Sequence, residues 1–490
     1  MKRITAALLL LSLILSAASC SQSTPETTAP ETTAEVTQTE AQETRESALP
    51  EKMDFEGTQI TILCREDEAN TSYINEFGAL AETGDVINDA IYMRNRLVEE
   101  RLNVIINPFN MDGYYDNRKE FLDKVRNSVS AGDEGYDLVA GYAAYISTLA
   151  TEGMLLNLAD APYIDYSMPW WNHSIIEEAG INGKNYFVTG DIGISYLGSA
   201  FVTYYNKMLA EDLGITGLYD LVREGKWTKE KVSEYVKMAS YDLNGDGKLD
   251  FDSDRWGFAA NQASEYLSAY DIRLTDYENG IPVLDIDVEK GVAALEWLQA
   301  FFYENEGAAP MNTVSASHTI SLEMFESGRC LFYNSHLGRM IYLRGMEDDF
   351  GVLPIWKWDE NQENYMTQTH DGISLFCVPV SCKNFDAVSA AMEALAEEGS
   401  YSVLPTFYDV ALQSKFARDE ESEEMMDLIK DSIVFRTEMV YSANLDLLHN
   451  LLNVLAKKST INFATYHAKN ADRWQKMMDT LIDTLSALDH

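Results

Sequence analysis

What most constrains this chain is the way its apolar pattern changes period after Pro50. Residues 58–64 form a β-rich run (Thr-Gln-Ile-Thr-Ile-Leu-Cys), residues 86–102 carry Ile87, Ile91, Leu97 and Val98 at helical spacing, and residues 103–109 return to a strand pattern. A change from period two to period 3.6 and back reads as a β-α-β unit. The alternation continues with a helix over 121–129, a strand over 136–141 and the start of another helix at 146–149. Such alternation predicts an α/β fold with a mainly parallel sheet covered by helices on both faces. Ligands of open sheets of this class sit beyond the carboxyl ends of the strands. Cys64-Arg65-Glu66 and Gly141-Tyr142 are therefore candidate site loops.

Composition narrows the function before any motif is considered. The 490 residues hold 37 Lys and Arg against 79 Asp and Glu, a formal net charge of -42. That balance argues against nucleic acid as a partner, because binding it needs cations that neutralise phosphates. An apolar content of 46%, with 11% aromatic residues, supports a large core and excludes a disordered chain.

The amino terminus has its own logic. Lys2 and Arg3 precede an apolar run over 4–15, then Ser16-Ala17-Ala18-Ser19-Cys20, the layout of an export signal over residues 1–19. The run is too short to span a bilayer of roughly 30 Å as a helix. Cys20 after small residues resembles the lipobox of bacterial lipoproteins, where the thiol takes diacylglycerol; the position three before it holds Ala17 in place of the usual Leu. Residues 21–50 then turn to Thr, Glu, Ala, Ser, Gln and Pro, with Val36 and Leu49 as the only large aliphatics. A stretch so poor in apolar surface reads as a solvated tether. No later run reaches 18 apolar residues, so the expected location is the cell membrane, lipid-anchored on the extracytoplasmic side.

A series of segments carries a family resemblance. Tyr136-Asp137-Leu138-Val139 leads to Gly153-Met154-Leu155-Leu156-Asn157-Leu158, then to Gly183-Lys184-Asn185-Tyr186-Phe187-Val188 and Tyr204-Tyr205-Asn206-Lys207. Phe325-Glu326-Ser327-Gly328-Arg329-Cys330-Leu331-Phe332 and Phe350-Gly351-Val352-Leu353-Pro354 follow. In order and spacing these resemble the family 1 extracellular solute-binding proteins of ABC importers, over roughly residues 56 to 490. The resemblance implies a two-lobed type II periplasmic-binding-protein-like fold with an interlobe ligand cleft, and no catalysis. Carried over segment by segment, lobe one comprises 51–191 and 332–370, and lobe two 192–331 and 371–490. The implied partners are a small solute, expected to be a carbohydrate, the permease subunits of the importer, and the membrane through the anchor; the protein itself is expected to be a monomer.

Sugar-binding clefts pair aromatic faces with carboxylates and amides. Trp170 and Trp171 offer adjacent indoles, and Tyr142 and Tyr145 follow a strand where the resemblance often places a stacking aromatic. Asp191 falls at the first expected crossing between lobes, His370 and Asp371 at the last, and Tyr408 in an expected loop of lobe two. Peptide binding is the rival reading, since peptides want charged anchors for both termini. A surface polysaccharide-binding protein or a glycoside hydrolase is a further alternative. Seven histidines form no His-Glu-x-x-His run, and no phosphate-cradling Gly-x-x-x-x-Gly-Lys-Ser/Thr loop is present.

The sharpest local motif is Asp242-Leu243-Asn244-Gly245-Asp246-Gly247-Lys248-Leu249-Asp250. It has EF-hand spacing: Asp242, Asn244, Asp246 and Asp250 at loop positions 1, 3, 5 and 9, and the Lys248 carbonyl at position 7. Position 12 is Ser253 where a bidentate acid is expected. A structural calcium ion is the expectation, with an Asp/Gly-rich turn without metal as the alternative. Cys64, Cys330, Cys377 and Cys382 lie in apolar, strand-like runs and read as small core residues, with Cys377 and Cys382 the one local pair worth testing for a disulfide.

Overall fold

Ten strands follow one another in the computed structural model, which describes residues 46–66, 76–78, 80–133, 135–314, 319–412 and 420–488. They are β1 (Thr58–Glu66), β2 (Val104–Asp112), β3 (Leu138–Tyr142), β4 (Phe201–Asn206), β5 (Trp256–Ala260), β6 (Thr275–Glu278), β7 (Ile281–Leu284), β8 (Cys330–His336), β9 (Phe350–Pro354) and β10 (Ser374–Cys377). The export signal, Cys20 and the first part of the tether lie outside the described residues.

The first sheet has the order β10-β3-β1-β2. Central β1 pairs in parallel with β2 and β3, and β10 closes the edge antiparallel to β3. Ile60, Ile62, Leu63 and Cys64 of β1 are all buried, the near-continuous burial that a parallel strand covered on both faces requires. The pleat divides them. Ile62 and Cys64 join a core with Val98 and Leu102, from helix Val86–Leu102, and with Leu395, from helix Phe385–Glu398. Leu63 turns to the opposite core with Phe121 and Val125. Helix Val86–Leu102 starts where the Asp85 carboxylate accepts the Asn88 N–H and stops at Asn103, whose left-handed backbone returns its N–H to Glu99.

The second sheet has the order β5-β8-β4-β9. Here β4 is antiparallel to both neighbours, with Tyr204 opposite Tyr333 on one side and Val352 on the other, and β5 is parallel to β8. Strands β6 and β7 form a separate hairpin, and helix Phe463–Ser486 packs against it and against helix Val288–Tyr303.

Two expectations are corrected. Residues 332–370 were assigned to lobe one and 371–490 to lobe two, yet β8 and β9 belong to the sheet of β4, while β10 and helix Phe385–Glu398 belong to the sheet of β1. The reason lies in pairing: all three strands are short, apolar and buried, so nothing local tells which sheet each joins. The tether also ends before Pro50. Leu49 is buried in the first lobe's core, and the Ser47 hydroxyl donates to Glu397 at 2.7 Å while accepting from Arg101.

The chain passes between the sheets along two segments that lie side by side. Val188 bridges Phe376 and Ala200 bridges Thr369, with Phe201 N–H to the Gln368 carbonyl at 3.0 Å and His370 N–H to the Ser199 carbonyl at 2.9 Å. Gly190 sits in this crossing at φ 154°, and a Cβ there would stand 2.2 Å from the Trp170 carbonyl. Only glycine fits so close to another backbone. Among the described residues no helix is long and apolar enough to cross a membrane, and Cys64, Cys330, Cys377 and Cys382 are buried free thiols.

Candidate functional site

The ends of strands from both sheets converge on one cluster of polar and aromatic side chains. From the first sheet come Arg65 at the end of β1, Tyr114 and Tyr115 after β2, and Tyr142 at the end of β3. From the second come His336, last residue of β8, and Phe201, first residue of its antiparallel neighbour β4. His370 and Asp371 arrive on the second crossing segment, and His449 on the short turn Leu448–Asn450. Parallel strands presenting their carboxyl ends to a common space is the arrangement in which α/β sheets bind ligands.

Asp371 is the hub. The Tyr142 hydroxyl donates to one carboxylate oxygen at 3.4 Å, His449 Nε2 lies 3.4 Å from the other, and His370 Nδ1 is 3.4 Å from the first. Burial works to raise its pKa, but the two histidines and the Tyr142 hydroxyl outweigh it and hold the carboxyl below its ordinary range. His370 Nδ1 accepts the Gly372 N–H at 2.9 Å, which makes that nitrogen unprotonated. Burial lowers the His370 pKa against the pull of Asp371, and lowers His336 further, with His370 and Arg339 adding to the effect. At neutral pH the cluster therefore presents the Asp371 carboxylate beside the neutral His370 and His336 imidazoles. Gln262 reaches His336 Nε2 at 3.1 Å, and the His336 ring stands 4.9 Å from both Phe201 and His370.

The aromatic wall is built by tyrosines. Tyr142 lies 6.1 Å from Tyr114 at an interplanar angle of 33°, edge-on to Tyr115 at 6.4 Å and to Tyr145 at 5.5 Å. Tyr145 is itself buried and donates to the Gly113 carbonyl at 2.7 Å, which fixes the loop that carries Tyr114. Tyr114 is half exposed. A cavity of about 400 Å³ adjoins this wall, between Tyr115 and Arg118 on one side and Ser442 and Leu447 on the other.

Of the residues expected at the site, Tyr142, His370 and Asp371 are brought into contact. The others are not. Trp170 and Trp171 are 1% and 2% exposed and lie in the first lobe's core, where their indole N–H groups donate to the two oxygens of Glu393 at 2.9 and 2.8 Å. Burial pushes Glu393 up to about 7 against these hydrogen bonds. The pair is a structural unit, since a buried indole needs an acceptor and Glu393 supplies it. Asp191 is 2% exposed and turned inward, accepting from the Tyr196 hydroxyl at 2.5 Å and pairing with Lys430 at 3.2 Å. Tyr408 lies in helix Leu404–Leu412, not in a loop, and is buried beside Asp427 and Asp191. Tyr114, Tyr115, His336 and His449 were not foreseen; the adjacent tyrosines after a strand end were the one local signal.

The 242–254 loop closes on itself. Asp242 accepts from the Gly245 and Gly247 N–H groups at 2.6 and 2.7 Å, Asn244 from Asp246 and Asp246 from Lys248, and Asp250 from Asp252 and Ser253. Asp254 is fully buried, and its carboxylate takes the Leu243, Asn244 and Asp250 amides. The donors at positions 1, 3, 5, 7 and 9 suit calcium, but the closing carboxylate is engaged with backbone, and no group of three His, Cys, Asp or Glu among the described residues is arranged to hold a metal. An open depression of about 1150 Å³ lies beside this loop, lined by Lys237, Tyr241, Lys248 and Glu304, with none of the cluster around Asp371.

The sequence matches a family model described as bacterial extracellular solute-binding protein over residues 110–421. Among solved structures, the chain is similar to a maltose/maltodextrin-binding domain from Bdellovibrio bacteriovorus bound to maltotriose, at 15% identity over 88% of this chain and 99% of that one, with a TM-score of 0.51. It is also similar to UspC of M. tuberculosis, at 14% identity over 86% and 100% with a TM-score of 0.54. A sugar transporter from Rhizobium etli in an open conformation matches at 14% identity over 88% and 100%, with a TM-score of 0.54. At such identities the likeness shows the two-lobed fold. No curated protein matches the sequence.

Proposed function

The chain belongs to the bacterial extracellular solute-binding proteins, and on that premise we propose that it captures a carbohydrate in the cleft between its two lobes and delivers it to the permease of an ABC importer. The observation that carries this reading is the junction at Asp371. Tyrosine rings from the first sheet, the His336 imidazole from the second, His370 and Asp371 on the crossing segment and His449 on the turn Leu448–Asn450 meet there. Aromatic faces cover the apolar faces of pyranose rings, and the surrounding acceptors and donors meet hydroxyls. The maltotriose bound to the Bdellovibrio domain supports a sugar as the class of solute.

In this reading Cys20 carries the lipid, the acidic tether holds the body away from the membrane, and the protein works as a monomer. The side-by-side crossing segments would act as the hinge, with solute shifting the population toward a closed form that the permease recognises. Calcium at Asp242, Asn244, Asp246, the Lys248 carbonyl and Asp250 would be structural.

Calorimetric titration of the full-length protein against oligosaccharide and peptide libraries tests the proposal. Saturable binding of glycans is expected, weakened at least about tenfold by Tyr142→Ala or Asp371→Asn, as for loss of a hydrogen bond to a charged group. Saturable binding of peptides with none of glycans overturns it.

A further inference from the structure

The net charge of -42 makes cations without acidic partners informative in this molecule. Several arginines meet carboxylates: Arg126 pairs with Asp123 and Glu152, Arg223 with Asp220, Glu421 and Glu424, and Arg436 with Asp271. Others have none among the described residues: Arg255 bonds the Ala239 carbonyl, and Arg329 the Ser327 hydroxyl and the Phe251 carbonyl. Arg65, Arg118 and Arg339 have no carboxylate within 4 Å among the described residues.

Arg65 is the most telling. It is 4% exposed, its guanidinium lies over the Tyr142 ring at 4.8 Å, and two of its five N–H donors are placed, on Ser374 at 3.2 Å and on the Gly372 carbonyl. The other buried arginine of this lobe, Arg94, spends four donors on Ile192, Glu76 and Asn95 and needs no anion. Among the described residues Arg65 thus has unplaced donors and no carboxylate, and a buried cation in that condition is costly. Arg118 lies over the Tyr115 ring at 4.4 Å with one donor on the Tyr115 carbonyl, and Tyr115 meets Tyr142 edge-on. Arg339, on the opposite wall three residues after His336, lies over Tyr342 at 5.4 Å. Each guanidinium thus sits beside a tyrosine, and the Arg65 and Arg118 sites are joined by the contact of Tyr115 with Tyr142.

Among the described residues, the nearby acids are engaged elsewhere, exposed or pushed toward the neutral form. Asp371 is engaged by His449 and Tyr142. Asp112 accepts from the Tyr114 N–H and from Asn117, and Asp116 is exposed to solvent. Glu76, buried near Arg65, is pushed by its burial toward the neutral form.

Resting on the reading of this cleft as a carbohydrate site, we propose that the solute is an acidic oligosaccharide whose uronate carboxylates are taken by Arg65, Arg118 and Arg339. A planar guanidinium matches a carboxylate with two parallel hydrogen bonds, and a neighbouring tyrosine covers the ring that bears it. Three guanidinium groups, each over a different tyrosine, suit an oligomer with one carboxylate per sugar better than a single phosphate.

The test titrates the full-length protein with uronate oligosaccharides of galacto, gluco and manno configuration, each beside its carboxyl-reduced counterpart of the same linkage. At least one acidic member is expected to bind about 10- to 100-fold more tightly than its reduced form, with affinity falling as salt is raised. Arg339→Gln, at a partly exposed position, is expected to keep the melting temperature and lose about tenfold in affinity for the acid while leaving reduced sugars unchanged. Reduced oligosaccharides binding as tightly as the acids overturn the proposal and leave the carbohydrate reading in place. Binding of no member of either series overturns both.

Discussion

Glu265 makes a sharp test of how this fold handles buried charge. It caps the short helix Tyr266–Ala269 just beyond β5, is 1% exposed, and its Oε2 has no hydrogen-bond partner. Burial pushes its pKa from the ordinary 4.5 up to about 8, against the help of Asn334 and its own backbone. The folded value lies above the unfolded one, so between about pH 4.5 and 8 the folded chain keeps a proton that the unfolded chain has released. Stability therefore falls as pH rises through that window. Integrated from pH 5 to pH 8, the loss amounts to about 3–4 kcal/mol. Glu265→Gln removes the titration but places an amide N–H₂ where no acceptor stands, a cost of about 1–3 kcal/mol that does not depend on pH. Urea unfolding followed by tryptophan fluorescence, run on both proteins at pH 5 and pH 8, separates the two effects. The variant is expected to be the weaker protein at pH 5 and to gain about 3–4 kcal/mol on wild type by pH 8. Parallel pH profiles for the two proteins would refute the reasoning, because they would mean that Glu265 is ionised in the folded chain without penalty.

Trp170→Phe removes the indole donor to Glu393 and leaves space in the first lobe's core. It should cost about 2–4 kcal/mol in thermal or urea unfolding while glycan affinity stays within twofold, and lost affinity at an unchanged melting temperature would return Trp170 to the site. For the 242–254 loop, millimolar calcium should raise the melting temperature relative to chelator if Asp242, Asn244, Asp246 and Asp250 hold the ion. Equal melting temperatures would leave the loop shaped by its side-chain-to-backbone hydrogen bonds alone.

The elements whose residues depend on near neighbours were legible in the sequence. Helix Val86–Leu102 falls where its apolar spacing puts it, and β1 follows from a β-rich run that is buried on both faces. The strands after residue 330 were not assignable to a sheet, because β8, β9 and β10 find partners 74 or more residues away and look alike locally. The site divides in the same way. Tyr142 at a strand end and His370-Asp371 at a crossing were marked by position in the chain. The tryptophans misled because Pro169 and Asn172 give Trp170 and Trp171 a polar-looking context, while the acid that satisfies both indoles lies more than 220 residues further on. Asp191 misled likewise, its cation Lys430 being 239 residues away. His336 and His449 carry no local mark, since only the pairing of β4 with β8 and the return of the chain near Leu448 bring them to Asp371.

The central claim is that solute binds where the two sheets meet. Hydrogen exchange followed by mass spectrometry, with and without saturating glycan, reads that directly. Binding should slow exchange on both walls at once, in residues 111–116 and 140–145 from the first sheet and 334–340 and 369–373 from the second sheet and the crossing. Protection confined to one wall, or to residues 237–249 beside the acidic loop, would contradict it.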